Sequence, residues 1–317
     1  MRVRVFEHGV WRDADPQGLA AFLAGQDAVV WADVQGPSAE DTAILRDVFR
    51  FHPLAIEDTQ NQRQRPKAEE YGDHLFVILN PAEQTPQGAE FRELDVFLGG
   101  RFLVTVHPEP EPVVANAERR LEALGPSAKV SPALLFYLLV DTVVDGYLPI
   151  LEALGDSAET LENDLLLRPQ QRHLHRLFHL KRDLIELRKI VAPQRDMFNL
   201  LTRRDLPYLD RGDLQYYLRD VYDHLLRVSD MIETYRDLLG SGLELYMSAT
   251  SNRLNQVVNR LTGATVVIGA LAVITGFYGM NFEHTWPPFR AAWGVPFTIA
   301  MMAATVWIVV RVLRRRS

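Results

Sequence analysis

The sequence predicts an α/β domain followed by long helices and a two-helix transmembrane hairpin, an α-helical membrane protein with a large soluble part. Three observations carry this prediction. Short apolar runs bounded by Gly and Pro signals fill the first 125 residues. No proline lies between Pro207 and Pro287, while apolar residues recur there at helical spacing. The runs Leu261 to Phe282 and Ala291 to Val310 contain no Asp, Glu, Lys or Arg.

At the N-terminal end, Val3 to Phe6, Val29 to Trp31, His74 to Leu79, Leu94 to Leu98 and Phe102 to Val106 read as strands. From Ala115 the period becomes helical. Pro132 to Leu154 reads as a helix bent at Pro149, Ser157 to Leu167 as one ending before Pro169, and Gln170 to Val191 as one stopped by Pro193. Val221, Leu225, Val228, Ile232, Tyr235, Leu239 and Leu243 then mark one face of a very long helix. Running from about Asp213 to Tyr278, it would reach roughly 100 Å and join stalk to first span. Such a rod is expected to bury its stripe against copies of itself around an axis, because its own neighbours are short.

A bilayer core needs roughly 20 helical residues, so both charge-free runs can cross it. Arg311, Arg314, Arg315 and Arg316 place the C-terminus in the cytosol by the positive-inside rule. Two spans return the N-terminal part to the same side, in keeping with the charged start Arg2, Arg4 and Glu7. The expected organisation is an α/β domain over 1–125, a helical region over 126–212, a stalk over 213–257 and a first span over 258–278. An external loop over 279–290, a second span over 291–312 and a basic tail over 313–317 follow. The location is the cell (inner) membrane, with both termini cytoplasmic.

The 317 residues include no cysteine, so any metal is held by oxygen or imidazole, which favours hard cations. A net charge of −7 argues against nucleic acid as a partner. His173, His175 and His179 do not share one helical face, and the chain shows neither a nucleophile elbow nor a phosphate-binding Gly-rich loop, so an enzyme is not expected. Asn255, Val258, Thr262, Thr265, Gly269, Ala272, Gly276 and Gly279 form a face of mostly small or polar residues on the first span. That face serves either close helix packing or the lining of a pore built from several subunits. In the turn Tyr278-Gly279-Met280-Asn281-Phe282-Glu283, Asn281 is either a residue tolerant of left-handed backbone or one oxygen donor in a ring, and Glu283 would concentrate cations.

The string Tyr278-Gly279-Met280-Asn281-Phe282 between two C-terminal spans resembles the signature of the CorA family of magnesium and cobalt transporters. The resemblance extends through His52-Pro53-Leu54-Ala55-Ile56-Glu57-Asp58, Gln64-Arg65-Pro66-Lys67, His179-Leu180-Lys181-Arg182, Arg219-Asp220-Val221-Tyr222-Asp223-His224 and Glu233-Thr234-Tyr235-Arg236-Asp237. It implies a homopentameric funnel embedded in the lipid bilayer, with a stalk helix continuing into the pore and a second span outside it. By resemblance Gly279, Met280, Asn281 and Glu283 form the selectivity filter, Asn255 a polar ring at the cytosolic mouth, and Val258 and Leu261 the hydrophobic constriction. If the small-residue face is a pore lining rather than a packing face, Thr265, Gly269 and Ala272 would line the way between. Glu57, Asp58, Asp141 and Asp220 match acidic residues that bind regulatory Mg2+ between subunits, with Asp58 facing Asp220; without the resemblance these carboxylates would read as solvated surface.

Two departures stand out. Ala270 and Ala272 occupy positions where the family commonly has a proline and a threonine, and His284-Thr285-Trp286-Pro287-Pro288 replaces a frequent Met-Pro-Glu loop. The expected transported ions are Mg2+, with Co2+ or Ni2+ as further cargo. A zinc transporter of the same superfamily, passing Zn2+, and a membrane-anchored structural scaffold are the alternatives.

Overall fold

The computed structural model describes residues 1–25, 28–62, 64–85, 88–125, 129–167, 169–204, 206, 211–280 and 292–316. Asn281 and Glu283 lie outside the described residues. Two compact units divide the chain, Met1–Leu243 and Glu244–Ser317.

In the first unit the strands are β1 (Arg2–Glu7), β2 (Val10–Ala14), β3 (Val29–Gln35), β4 (Lys67–Glu70), β5 (His74–Leu79), β6 (Ala82–Thr85), β7 (Gly88–Phe91), β8 (Leu94–Gly99) and β9 (Phe102–His107). Seven of them form one sheet in the order β2-β1-β3-β9-β8-β5-β4, while β6 and β7 make a separate hairpin. Only β3 and β9 pair parallel in the large sheet, with Ala32 opposite Val104; its other pairings are antiparallel. The tight β1–β2 turn places His8 and Gly9 at φ +54° and +82°, the geometry whose twist matches a two-residue hairpin.

The helices are α1 (Leu19–Ala24), α2 (Ala39–Asp47), α3 (Pro53–Gln60), α4 (Pro112–Ala123), α5 (Pro132–Asp145), α6 (Tyr147–Leu167), α7 (Gln171–Leu201), α8 (Arg211–Gly279) and α9 (Gly294–Arg316). Their starts follow local chemistry. Ser38 and Asp41 form a reciprocal capping box on α2, and Pro begins α3, α4 and α5, where its missing N–H costs no helix bond.

One sheet face carries Val30, Ala32, Phe76, Ile78, Phe97 and Val104, packed with Leu19, Leu45, Phe51, Ala55 and Ile56 from the α1–α3 side. Helix α5 covers β3, β8 and β9, so the region after residue 125 contributes a layer to the α/β core rather than standing apart from it. Burial on both faces explains why β5 and β8 read as unbroken runs.

Three helical expectations are corrected. The boundary after Pro132 falls at Gly146, not beyond Leu154, and Pro149 sits harmlessly in the first turn of α6. Helix α7 continues through Pro193 to Leu201; the neighbouring Gln194 is fully buried, and its side-chain amide donates to the Tyr147 hydroxyl at 2.6 Å, anchoring this stretch by tertiary contacts. Most of the α8 stripe is buried within its own chain: Val221, Leu225, Val228, Ile232 and Leu239 are all inaccessible. Helices α5, α6 and α7 of the same chain lie against this part of α8: Tyr137 of α5 meets Asp220, and Arg195 of α7 donates to the Ser229 hydroxyl at 3.0 Å. Gly155 of α6 lies so close to Tyr235 that an added Cβ would stand 2.5 Å from its ring, and Gly242 lies near Leu165 and Leu177. Self-association is therefore not needed to cover the stalk stripe.

Among the described residues three helical stretches are long and apolar enough to cross a membrane, but burial separates them. The apolar window within Pro132–Leu167 is 67% buried, whereas those within Leu214–Phe277 and Gly294–Val312 are each 6% buried. The first is core; the other two present apolar side chains outward.

Candidate metal sites and pore helix

Two acidic groups form in the first unit. At the first, α3 carries Glu57, exposed, and Asp58, half-buried. Lys67 Nζ lies 2.7 Å from Asp58 Oδ2, and Gln64 Nε2 donates to Asp58 Oδ1 at 2.6 Å. Burial opposes ionisation of Asp58, but the hydrogen bonds from Lys67 and Gln64 outweigh it and hold the carboxyl below its ordinary range.

The second group joins α4, α5 and α8. Asp141, 4% exposed, receives the Arg120 guanidinium and lies 3.2 Å from His224 Nδ1. Arg120 also reaches Asp145 at 3.7 Å. Burial, then the charge of Asp141, pushes the Asp145 carboxyl up. Asp220 accepts from the Tyr137 hydroxyl at 2.9 Å and stands 4.0 Å from His224 Nε2, one helical turn along α8. Burial and the bond to Asp220 raise the Tyr137 phenol.

Ligand atoms of Asp141, Asp145 and His224 all lie within 4.8 Å of one another. Asp141 Oδ1 is buried without a hydrogen bond. Two carboxylates and an imidazole, with Asp141 Oδ1 turned toward His224 Nδ1, fit a divalent cation that keeps some of its waters; the oxygens suit magnesium, and the imidazole also suits cobalt. The structure thus brings Asp141 and Asp220 into one group, through His224 and Tyr137, and puts Glu57 and Asp58 in another. Arg120, Asp145, Tyr137 and His224 had not been singled out as site residues. The four-residue spacings Asp220–His224 on α8 and Tyr137–Asp141–Asp145 on α5 are the usable signals, since each puts its side chains on one helix face.

On α8, Asn255, Val258, Leu261, Thr265, Gly269 and Ala272 are exposed in the single chain, Leu261 to 68%. The Thr265 hydroxyl turns inward to the Leu261 carbonyl at 2.9 Å, satisfying itself on the helix. Among the described residues, a Cβ added at Gly269, Gly276 or Gly279 would meet nothing within 4 Å. Gly279 ends the helix and Met280 is exposed beside it. Trp293, just before α9, meets Phe297 of its first turn edge to face, and Arg311 lies 4.8 Å over the Trp307 ring near the end of the helix. Aromatic and basic side chains at both ends of an apolar helix are the usual anchors at a membrane–water boundary.

The family model described as CorA-like Mg2+ transporter protein matches residues 26–315. The chain belongs to the CorA family. It is 32% identical over 321 residues to the cobalt/magnesium transport protein CorA of Thermotoga maritima, covering 100% of this chain and 91% of that one. The complete structure of the CorA magnesium transporter from Methanocaldococcus jannaschii superposes with a TM-score of 0.81 at 22% identity, over 100% of this chain and 98% of that chain. The ZntB cytoplasmic domain from Vibrio parahaemolyticus gives a TM-score of 0.65 at 10% identity, covering 80% of this chain and 98% of that chain. At these identities both structures establish likeness of fold. CorA membership makes α9 and the charge-free end of α8 membrane-spanning helices.

Proposed function

We propose that the chain forms a homopentameric channel for magnesium, and for cobalt, in the cell membrane, with both termini in the cytosol and gating by internal magnesium. The observation that carries this is the continuity of α8. One helix bears Asp220 and His224 of the acidic group and, further along, the exposed face Asn255, Val258, Leu261, Thr265, Gly269 and Ala272. A change at the acids is thereby linked along one helix to the pore face.

Each part has a role that its chemistry suits. Carbonyl oxygens at Gly279, Met280 and Asn281 select a cation still carrying water, and Glu283 draws cations to the mouth. Asn255 rings the cytosolic entrance. Val258 and Leu261 close it, because a narrow apolar ring offers a hydrated ion no replacement ligands. Thr265, Gly269 and Ala272 line the way between them. Glu57, Asp58, Asp141 and Asp220 hold neighbouring subunits together while a divalent ion neutralises them. Loss of the ion removes the ligand that these acids share between subunits, which loosens the ring and frees the α8 helices to part. Two charges moving inward through 100 mV gain roughly 4.6 kcal/mol, so no coupling ion is needed.

Proteoliposome flux tests the assignment. Asn281→Ala is expected to abolish preference for magnesium, and normal selective uptake in that variant would remove the residue from its role. Asp58→Asn and Asp220→Asn are expected to resist inhibition by internal magnesium. Zinc flux well above magnesium flux under the same gradient would replace this reading with that of a zinc transporter.

A further inference from the structure

The segment Gln64-Arg65-Pro66-Lys67 takes no part in the proposal above, yet two of its side chains close on a proposed magnesium ligand. Both oxygens of Asp58 already carry donors, Lys67 Nζ on Oδ2 at 2.7 Å and Gln64 Nε2 on Oδ1 at 2.6 Å. Lys67 opens β4, in register with Ile78 of β5, so a strand rather than a loop sets the position of the ammonium. Two residues along, on the same strand face, Glu69 Oε1 accepts from the same Nζ at 3.1 Å. Glu69 is itself held by the Tyr71 hydroxyl, which donates to Oε2 at 2.7 Å.

We propose that Lys67 is a built-in competitor for the divalent cation at Asp58: it neutralises Asp58 when the ion is absent and shifts onto Glu69 when the ion is bound. The inference rests on the reading of Asp58 as a regulatory ligand and deepens it. A lysine ammonium is a compact charge on a flexible stem, able to leave one carboxylate for another by a small rotation. Glu69 keeps the displaced ammonium paired, so exchange costs a rearranged hydrogen bond rather than an unpaired charge. An arginine would grip Asp58 through two parallel bonds and leave less readily. Because an ion must displace Lys67, the site responds only at a higher magnesium concentration than its bare carboxylates would set.

Full-length protein in detergent, titrated with magnesium, gives two readouts: the rise in thermal midpoint and bound magnesium by equilibrium dialysis. Lys67→Met is expected to lower the half-saturating concentration by about three- to tenfold, the span that a half-buried ion pair allows. Lys67→Arg keeps the charge and is expected to raise that concentration, isolating the direct contact from a general field effect. Glu69→Gln should raise it as well, and Arg65→Met, removing a nearby exposed charge, should move it less than Lys67→Met. If Asp58→Asn leaves the titration unchanged, the ligand role of Asp58 fails and this inference falls with it. If Asp58→Asn weakens binding while Lys67→Met and Lys67→Arg both stay within about twofold of the unaltered chain, the ligand role survives and the competitor is wrong. Should Lys67→Met not fold, Lys67→Arg and Glu69→Gln decide the matter by the same criterion.

Discussion

Replacing Arg120 with Met strips the guanidinium from Asp141, which keeps only 4% of its surface accessible. Removing one partner of a buried ion pair costs about 3–5 kcal/mol because the other charge is left uncompensated. Arg120 retains 37% exposure of its side chain, so water can partly screen the orphaned acid and the cost falls toward about 3 kcal/mol. For a unit the size of Met1–Leu243, each kcal/mol moves the thermal midpoint by about 2–4 °C, giving a loss of about 6–12 °C. Circular dichroism melting of the full-length protein in detergent with a magnesium chelator measures it. Magnesium should then raise the midpoint of Arg120→Met more than that of the unaltered chain, since the divalent ion can stand where the guanidinium stood. Asp141→Asn in the same chain should recover most of the loss without magnesium. A variant that melts within about 2 °C of the unaltered chain would refute the charge argument, and equal responses to magnesium would refute the group as a cation site.

Two further predictions concern the scaffold. Both ring nitrogens of His107 meet acceptors, Asp33 at 2.9 Å and the Glu109 carbonyl at 2.5 Å; burial disfavours the charged ring, yet Asp33 pushes its pKa up. The pair's contribution is fully present below the unfolded value near 6.5 and is lost as pH rises through the higher folded value. His107→Asn should thus cost about 1.5–3 kcal/mol near pH 6 and much less near pH 9, and a pH-independent loss in melting experiments would contradict it. Gly155→Ala drives a methyl into the Tyr235 ring and should cost about 1–3 kcal/mol, partly recovered by Tyr235→Ala; an unchanged midpoint would show that α6 and α8 are not packed as described.

The hairpin was legible because charge-free runs of bilayer length are rare, and burial later set it apart from the equally apolar Pro132–Leu167. Strands β1, β3, β5, β8 and β9 were legible as apolar runs. Strands β2 and β4 lie at the sheet edges and the β6–β7 pair stands outside the main sheet, so their half-exposed sequences, such as Lys-Ala-Glu-Glu in β4, carry no such signal. Pro193 misled because a helix stop is a local rule, and α7 is held across it by packing. The acids of the candidate site came from resemblance. Their partners did not, because Arg120 and Asp141 are 21 residues apart, and Tyr137 and Asp220 are 83 apart, distances that no spacing rule spans. The α8 stripe was recognised, but its cover was misassigned to other subunits because the reach of α6 and α7 is a tertiary fact.

As proposed, this chain is a magnesium channel shut by magnesium on its cytosolic side. Uptake into proteoliposomes under an inside-negative potential, with internal free magnesium set at a series of values and no other ion gradient, tests it most directly. Magnesium entry is expected to need only the potential and to fall as internal magnesium rises. Entry that requires a second ion, or that is indifferent to internal magnesium, would contradict it.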